Sequence, residues 1–242
     1  MSEIDLDEIE RIFDESWDEL VSELWDGKWI PMSEKDLQLY LAHKLINRLS
    51  EMGKADWVHI ELLIPVDPSK FEYDIIHHGR VKPEREEGKI KRPDITIANI
   101  GEFPPQIYLI AEVKYFTPYL LTSPAIRSFL KKMMEEKIDR EALERFLRAL
   151  KTDENQYMAR ADQYIDEILK DLDKISSLIR IYREAWGIEI LGCVCVIDEI
   201  YGGKLWDRIS SIHEDKYSDV RLYYASRDLY RELRALVERR LS

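Results

Sequence analysis

Apolar residues recur along the chain with two different periods, which predict alternating helices and strands. Intervals of three or four residues mark helices over residues 4–25, from Ser33 to Gly53, and at several places after Ser123. Short apolar runs between Gly, Pro and charged residues mark strands. These runs are 57–66, 94–100, 107–116, 188–198 and 219–226, with 71–78 as a further candidate. Their order predicts an α/β fold with a mixed central β-sheet flanked by helices.

Nothing in the pattern separates this chain of 242 residues into independent parts. It has no internal repeat and no low-complexity linker, so we expect residues 1–242 to form a single domain. The core is expected over residues 33–198. An acidic helical extension precedes it over residues 1–30, and an α/β extension follows it over residues 199–242.

Polar residues before the helical segments predict where the helices begin. Ser33 is followed three residues later by an acidic residue, which is a variant of the capping box. Ser123 precedes a proline and therefore suits an N-cap. Asp153 and Gln156 are expected to cap a long helix that Gly187 ends.

Two neighbouring predicted strands carry ionisable residues among apolar ones, in the segment RPDITIANIGEFPPQIYLIAEVKYF. Glu112 and Lys114 lie two residues apart, so they face the same side of a strand. If the two strands pair, Asp94 lies opposite that side. Because buried charges are costly unless something pairs with them, this cluster predicts a functional site. A surface salt-bridge cluster on an exposed sheet face is the alternative.

The chemistry of this cluster suits a hard divalent cation. Mg²⁺ takes one or two carboxylates and completes its shell with water and substrate phosphate. Mn²⁺ is an alternative ion. The ion would neutralise the charge of a substrate and lower the pKa of a bound water. A lysine alongside would orient the attacking water and stabilise the charge of the transition state.

The same residues resemble the PD-(D/E)XK motif of restriction-endonuclease-like nucleases. Pro93-Asp94 is followed, after seventeen residues, by Glu112-Val113-Lys114, and both limbs fall on apolar predicted strands. The helix start Glu34-Lys35-Asp36-Leu37 is similar to the acidic helix of archaeal Holliday-junction resolvases and their relatives. The matching order of elements covers residues 33–198. The resemblance implies a restriction-endonuclease-like fold and Mg²⁺-dependent hydrolysis of phosphodiester bonds, with DNA as the expected substrate.

Individual roles follow from the resemblance by position. It implies that Asp94, Glu112 and the carbonyl of Val113 hold the metal ion, and that Lys114 is the catalytic lysine. Glu34 is a further candidate for the metal site. The alternative for it is an acid in the first turn that the helix dipole favours. Gln156 is a candidate nucleic-acid contact, because some branches of the family use Gln at the start of the following helix.

The charge of the chain is distributed unevenly. The net charge is −12, but residues 1–26 hold eleven Asp/Glu against one Arg, whereas residues 80–92 hold six Lys/Arg against three Glu. This basic segment leads directly into the motif. We therefore expect Lys89, Lys91 and Arg92 to contact phosphate. A solvated charged loop is the alternative.

Composition adds expectations about location and source. Charged residues make up 35% of the chain and Asn and Gln are few, a bias typical of thermophiles. The acidic N-terminus lacks the features of a signal peptide, and no apolar run approaches the ~20 residues of a membrane helix, so a cytoplasmic protein without membrane contact is expected. Cys193 and Cys195 lie in an apolar run, where core packing is the simplest interpretation. A homodimer is expected only by analogy with enzymes that cut both strands.

Two other functions compete with a nuclease. One is a catalytically inactive nucleic-acid-binding or assembly protein that keeps a nuclease-like fold. The other is a structural α/β protein in which the motif arises by chance. Convergence of Asp94, Glu112 and Lys114 on one point would argue against the second.

Overall fold

The computed structural model describes residues 4–28, 31, 33–62, 64–65, 90–101, 106–118, 121, 123–135 and 138–241. The chain separates into two compact units that interleave along the sequence. The first unit comprises residues 1–113, 170–195 and 216–223, and the second comprises residues 114–169, 196–215 and 224–242.

The described residues form an α/β fold, as the pattern predicts. In chain order the elements are α1 (Leu6–Trp25), α2 (Glu34–Ser50), a 3₁₀ turn (Ala55–Trp57), β1 (Val58–Ile60), β2 (Ile64–Pro65), β3 (Ile90–Lys91), β4 (Ile95–Asn99), β5 (Gln106–Phe116), α3 (Pro124–Glu135), α4 (Arg140–Met158), α5 (Ala161–Trp186), β6 (Leu191–Asp198), α6 (Lys204–Lys216), β7 (Val220–Ser226) and α7 (Leu229–Leu241). Five strands form a mixed sheet in the order β1-β4-β5-β6-β7, and β2 pairs with β3 separately.

Strands β4 and β5 are antiparallel neighbours, which confirms that the two charged strands pair. Ile95 lies opposite Ala111 and Ile97 lies opposite Leu109. Directly opposed side chains share a face, and all four of these are almost fully buried. Because side chains alternate along a strand, the residues next to these four in the chain, including the charged Glu112, point to the opposite face.

The N-terminal helix α1 is covered by other parts of the first unit. Asp5 caps it by accepting a 2.8 Å hydrogen bond from the backbone N–H of Glu8. The buried rings of Phe13 and Trp17 pack against the ring of Tyr223, with centroids 5.2 and 5.9 Å apart. Each large apolar side chain buried in this way stabilises the fold by roughly 1.5–3 kcal/mol. The apolar face of α1 is therefore buried within the chain itself and does not need a second subunit to cover it.

Helix α5 and strand β6 approach closely at Gly192, a residue of the first unit. A Cβ at this position would lie 2.5 Å from Cγ2 of Ile175 and 2.4 Å from Cδ1 of Ile179. Only glycine lets the helix lie at this distance. Cys193 and Cys195, the free thiols of the same strand, are fully buried as expected.

Some sequence-based boundaries are wrong. Helix α4 runs through Asp153 and Gln156 to Met158, so these residues do not cap the next helix. Asp153 instead accepts a 2.7 Å hydrogen bond from the hydroxyl of Tyr230, and a tertiary partner of this kind makes a polar residue compatible with a helix interior. A turn at residues 159–160 separates α4 from α5.

The first predicted strand is also shorter than expected. The run 57–66 is interrupted at Glu61, whose φ of 54° is left-handed, a conformation that a non-glycine residue adopts rarely. The candidate strand 71–78 and most of the charged segment 79–92 lie outside the described residues.

Candidate active site

The sheet brings Asp94 and Glu112 together within the first unit. Continuing the β4–β5 register by one residue beyond the pair Ile95–Ala111 places Asp94 opposite Glu112. Directly opposed residues of antiparallel strands share a face. The strands are also joined at this point by a hydrogen bond of 2.8 Å, which the backbone N–H of Val113 donates to Oδ2 of Asp94.

Glu112 is buried and has a cationic partner on helix α5. Its side chain is 5% exposed, and its Oε1 accepts a hydrogen bond from Nζ of Lys174. The same ammonium group donates to the carbonyl of Arg92 at 2.9 Å. Lys174 therefore joins Glu112 to the backbone that leads into Asp94.

Each of the two carboxylates accepts hydrogen bonds through one of its two oxygen atoms. Oδ2 of Asp94 and Oε1 of Glu112 take the hydrogen bonds just described. Within the described ranges, no hydrogen bond reaches Oδ1 of Asp94 or Oε2 of Glu112. The pair is thus oriented but keeps two oxygen atoms available as ligands.

Burial dominates the electrostatics of this pair. The pKa of Glu112 is raised to about 8, first by burial and then by the negative charge of Asp94, while the ammonium of Lys174 lowers it. Asp171, one turn before Lys174 on α5, adds a smaller increase. Burial disfavours the ionised form of a carboxyl group, and a nearby ammonium group favours it.

Lys174 and Asp171 were not predicted as site residues. The helical pattern identifies Ile168, Leu172 and Ile175 as the buried stripe of α5, and the two charged residues lie beside it. Periodicity shows which side of a helix is buried, but it does not identify a partner 62 residues earlier in the chain. A lysine beside an apolar stripe indicates a functional site only when the buried acid that it bonds, here Glu112, is already known.

Two further candidates for the metal site have defined positions. Lys114 follows Glu112 by two residues on β5, is half-buried, and points to the same face of the strand. Glu34 is the half-buried first residue of α2. The next residue, Lys35, forms a 2.6 Å ion pair with Glu61, and the N–H of Glu61 donates to the carbonyl of Asp94 at 3.1 Å.

The candidate nucleic-acid contacts are only partly described. Lys89 lies outside the described residues, and Lys91 belongs to β3, where its backbone pairs with Ile64. Arg92 is exposed. Gln156 belongs to the second unit, where it lines a cavity of about 260 Å³ together with Asp153, Tyr157 and Arg160. Phosphate contact by these residues stays a prediction.

A second pair of acidic residues, Asp198 and Glu199, lies in the second unit and is bonded differently. Oδ1 of Asp198 accepts from the N–H groups of Ile200 and Tyr201 at 2.9 and 2.8 Å, and Oδ2 accepts from the hydroxyl of Tyr224 at 2.5 Å. Glu199 is bonded to Arg227 through Oε1 and to the hydroxyl of Tyr115 through Oε2. All four carboxylate oxygens of this pair are therefore engaged.

The described residues fit Mg²⁺ only through the pair itself. No group of three or more His, Cys, Asp and Glu side chains in the described part of the chain is arranged to hold a metal ion. Two carboxylates with open oxygens nevertheless match what Mg²⁺ takes from a protein, because it keeps several waters and binds substrate phosphate. The chemistry of these donors suits that ion better than zinc, which prefers His and Cys.

Comparison with known proteins identifies no relative. The chain matches no family model, and no curated protein or solved structure is significantly similar to it. Among the described residues, none of the helices is long and apolar enough to cross a membrane.

Proposed function

We propose that this protein is a nuclease that hydrolyses phosphodiester bonds with Mg²⁺ or Mn²⁺, with DNA as the expected substrate. One observation carries the proposal: Asp94 and Glu112 face each other on paired strands, and each keeps one open carboxylate oxygen beside one that is held. A restriction-endonuclease-like form of the α/β fold, a cytoplasmic location and a homodimer are the further parts of the same proposal.

The residues of the pair would divide the work as follows. Oδ1 of Asp94, Oε2 of Glu112 and the carbonyl of Val113 would hold the ion. In an antiparallel strand the N–H and C=O of one residue point to the same neighbour, and the N–H of Val113 already points to Asp94. When bound, the ion would offset the charge of the phosphate and lower the pKa of a bound water. The ammonium of Lys114 would orient that water and stabilise negative charge on the phosphate.

A catalytically inactive nucleic-acid-binding or assembly protein is the second candidate. The contact between Glu112 and Lys174 favours it, because the ammonium compensates the buried carboxylate without any metal ion. The two candidates differ in whether the open oxygens are used for chemistry.

A cleavage assay distinguishes them. Single-stranded, duplex and branched DNA and RNA are incubated with Mg²⁺, Mn²⁺ or EDTA. We expect cation-dependent cleavage, and a loss of about 100-fold or more in Asp94→Asn, Glu112→Gln and Lys114→Met. Asp56→Asn, which removes an exposed carboxylate from the same unit, is the matched control and should cleave normally. Binding without cleavage under every condition would leave the inactive protein as the better description.

A further inference from the structure

Lys174 makes two contacts that meet at the proposed metal site. Its Nζ donates to Oε1 of Glu112 and, at 2.9 Å, to the carbonyl of Arg92. The Lys174 side chain is 22% exposed and that of Glu112 is 5% exposed, so the first contact is largely shielded from solvent. Arg92 precedes Pro93 and Asp94 in the chain, and one ammonium group thus spans both limbs of the motif.

We propose that Lys174 is a positioning residue for the cation site, a role that rests on the proposed function. It fixes Glu112 through Oε1 and leaves Oε2 open. A charge-assisted hydrogen bond is short and directional, so the carboxylate is held in one orientation before any cation arrives. Ligating carboxylates are commonly held by outer hydrogen bonds of this kind, and losing such a partner typically weakens metal binding by about 10–100-fold.

Lys174 belongs to a long helix that packs closely against the sheet. The helix has 26 residues, and the residue after Lys174, Ile175, packs directly over Gly192. The ammonium group therefore approaches Glu112 from a helix rather than from a loop. Sites supported by helices and strands are held more accurately than sites on loops.

An alternative role for Lys174 predicts the opposite change in cation affinity when the ammonium is removed. An ammonium that occupied the cation position would compete with the ion, and its removal would strengthen cation binding. The two oxygen atoms of Glu112 separate these roles, because Lys174 takes Oε1 whereas the ligand role needs Oε2. Positioning therefore predicts weaker binding after removal of the ammonium.

Calorimetric titration of Mn²⁺ into the full chain without nucleic acid tests this. We expect Lys174→Met to weaken Mn²⁺ binding by about 10-fold or more, and Lys174→Arg to recover part of it because a guanidinium also donates to a carboxylate. Lys170→Met is the matched control. It removes the same charge from an exposed position one turn earlier on α5 and should change the affinity by less than about twofold. If Lys174→Met fails to fold, Lys174→Gln replaces it, since its amide still donates one hydrogen bond.

Unchanged or tighter Mn²⁺ binding in Lys174→Met would overturn the positioning role. A wild-type chain that binds no Mn²⁺ would instead contradict the proposed function. In that case urea unfolding of Lys174→Met, Glu112→Gln and the double variant still decides whether Lys174 holds Glu112. The expected result is a double variant no less stable than Lys174→Met, and strictly additive losses would show that the contact is absent.

Discussion

The two acidic pairs of this protein, one in each compact unit, differ in how many of their oxygen atoms are bonded. Asp94 and Glu112 each keep one oxygen open, whereas Asp198 and Glu199 have every oxygen engaged by N–H groups, hydroxyls or Arg227. Both pairs include buried carboxylates, so burial and acidity alone do not distinguish them. The oxygens of the engaged pair, Asp198 and Glu199, are all used within the fold, whereas, among the described residues, two oxygens of the open pair, Asp94 and Glu112, are not.

The stability of the engaged pair gives the largest expected effect. Glu199→Ala removes the carboxylate that Arg227 and the hydroxyl of Tyr115 bond, and the side chain of Arg227 is only 25% exposed. Breaking a buried ion pair on one side costs about 3–5 kcal/mol, measured by urea unfolding. Asp94→Asn should cost about 1 kcal/mol or less.

The matched control for this comparison is Glu238→Ala, which removes an exposed carboxylate of α7 in the same unit as Glu199. It should change the free energy of unfolding by about 0.5 kcal/mol at most. Equal losses in Glu199→Ala and Asp94→Asn would remove the distinction between the two pairs.

The pH dependence of the free energy of unfolding gives a second test of the open pair, through Glu112. The pKa of Glu112 is raised from 4.5 to about 8, so between these values the folded chain holds a proton that the unfolded chain has lost. Stability contributed by the protonated form is therefore present at low pH and declines as the pH rises toward 8. Relative to Glu112→Gln, we expect the wild type to lose about 1 kcal/mol or more between pH 5 and 8 without divalent cations.

Parallel pH profiles of the wild type and Glu112→Gln would contradict this assignment. The control is Glu184→Gln, an exposed carboxyl group on the same helix as Lys174, whose profile should follow the wild type. The measurement is urea unfolding at each pH, with EDTA present so that cation binding does not contribute.

The smallest expected effect concerns the exposed ion pair of Lys35 and Glu61, which lies near the open pair. Lys35 and Glu61 are 45% and 46% exposed, so solvent screens their 2.6 Å contact. Lys35→Met should therefore leave the midpoint of urea unfolding close to that of the wild type, with Lys28→Met, another exposed lysine of the first unit, as control. A loss of stability as large as that of Glu199→Ala would mean that contact geometry rather than burial decides how much an ion pair stabilises this protein.

The paired strands and their polar face follow from local patterns. Alternation along 94–100 and 107–116 predicts that Asp94 can lie opposite the face of Glu112 and Lys114 if the two strands pair, because a two-residue period leaves only one face for each charged residue. Ser33 likewise begins α2 as expected, with its hydroxyl accepting from the N–H of Asp36 at 3.2 Å. These features need no knowledge of distant partners.

What could not be predicted depends on contacts between distant residues. Lys174 is recognised as a site residue only through its contact with Glu112, and Tyr230, which bonds Asp153 inside α4, lies 77 residues further along the chain. Asp198 and Glu199 also read as an ordinary strand end in the sequence, although their bonded oxygens define the engaged pair. The local sequence pattern thus predicts which face of a strand a carboxylate occupies, whereas its hydrogen-bond partners depend on how distant parts of the chain pack together.

The glycine in β6 has a consequence for how the charge on Glu112 is set. A methyl group at Gly192 would overlap the side chains of Ile175 and Ile179, and the helix would have to move outward to admit it. The ammonium of the neighbouring Lys174 would move with it, because a lysine side chain has a fixed maximum length. An apolar contact therefore contributes to how strongly a buried acid is compensated, and one methyl group in the core would change the protonation of Glu112 without replacing a single ionisable residue.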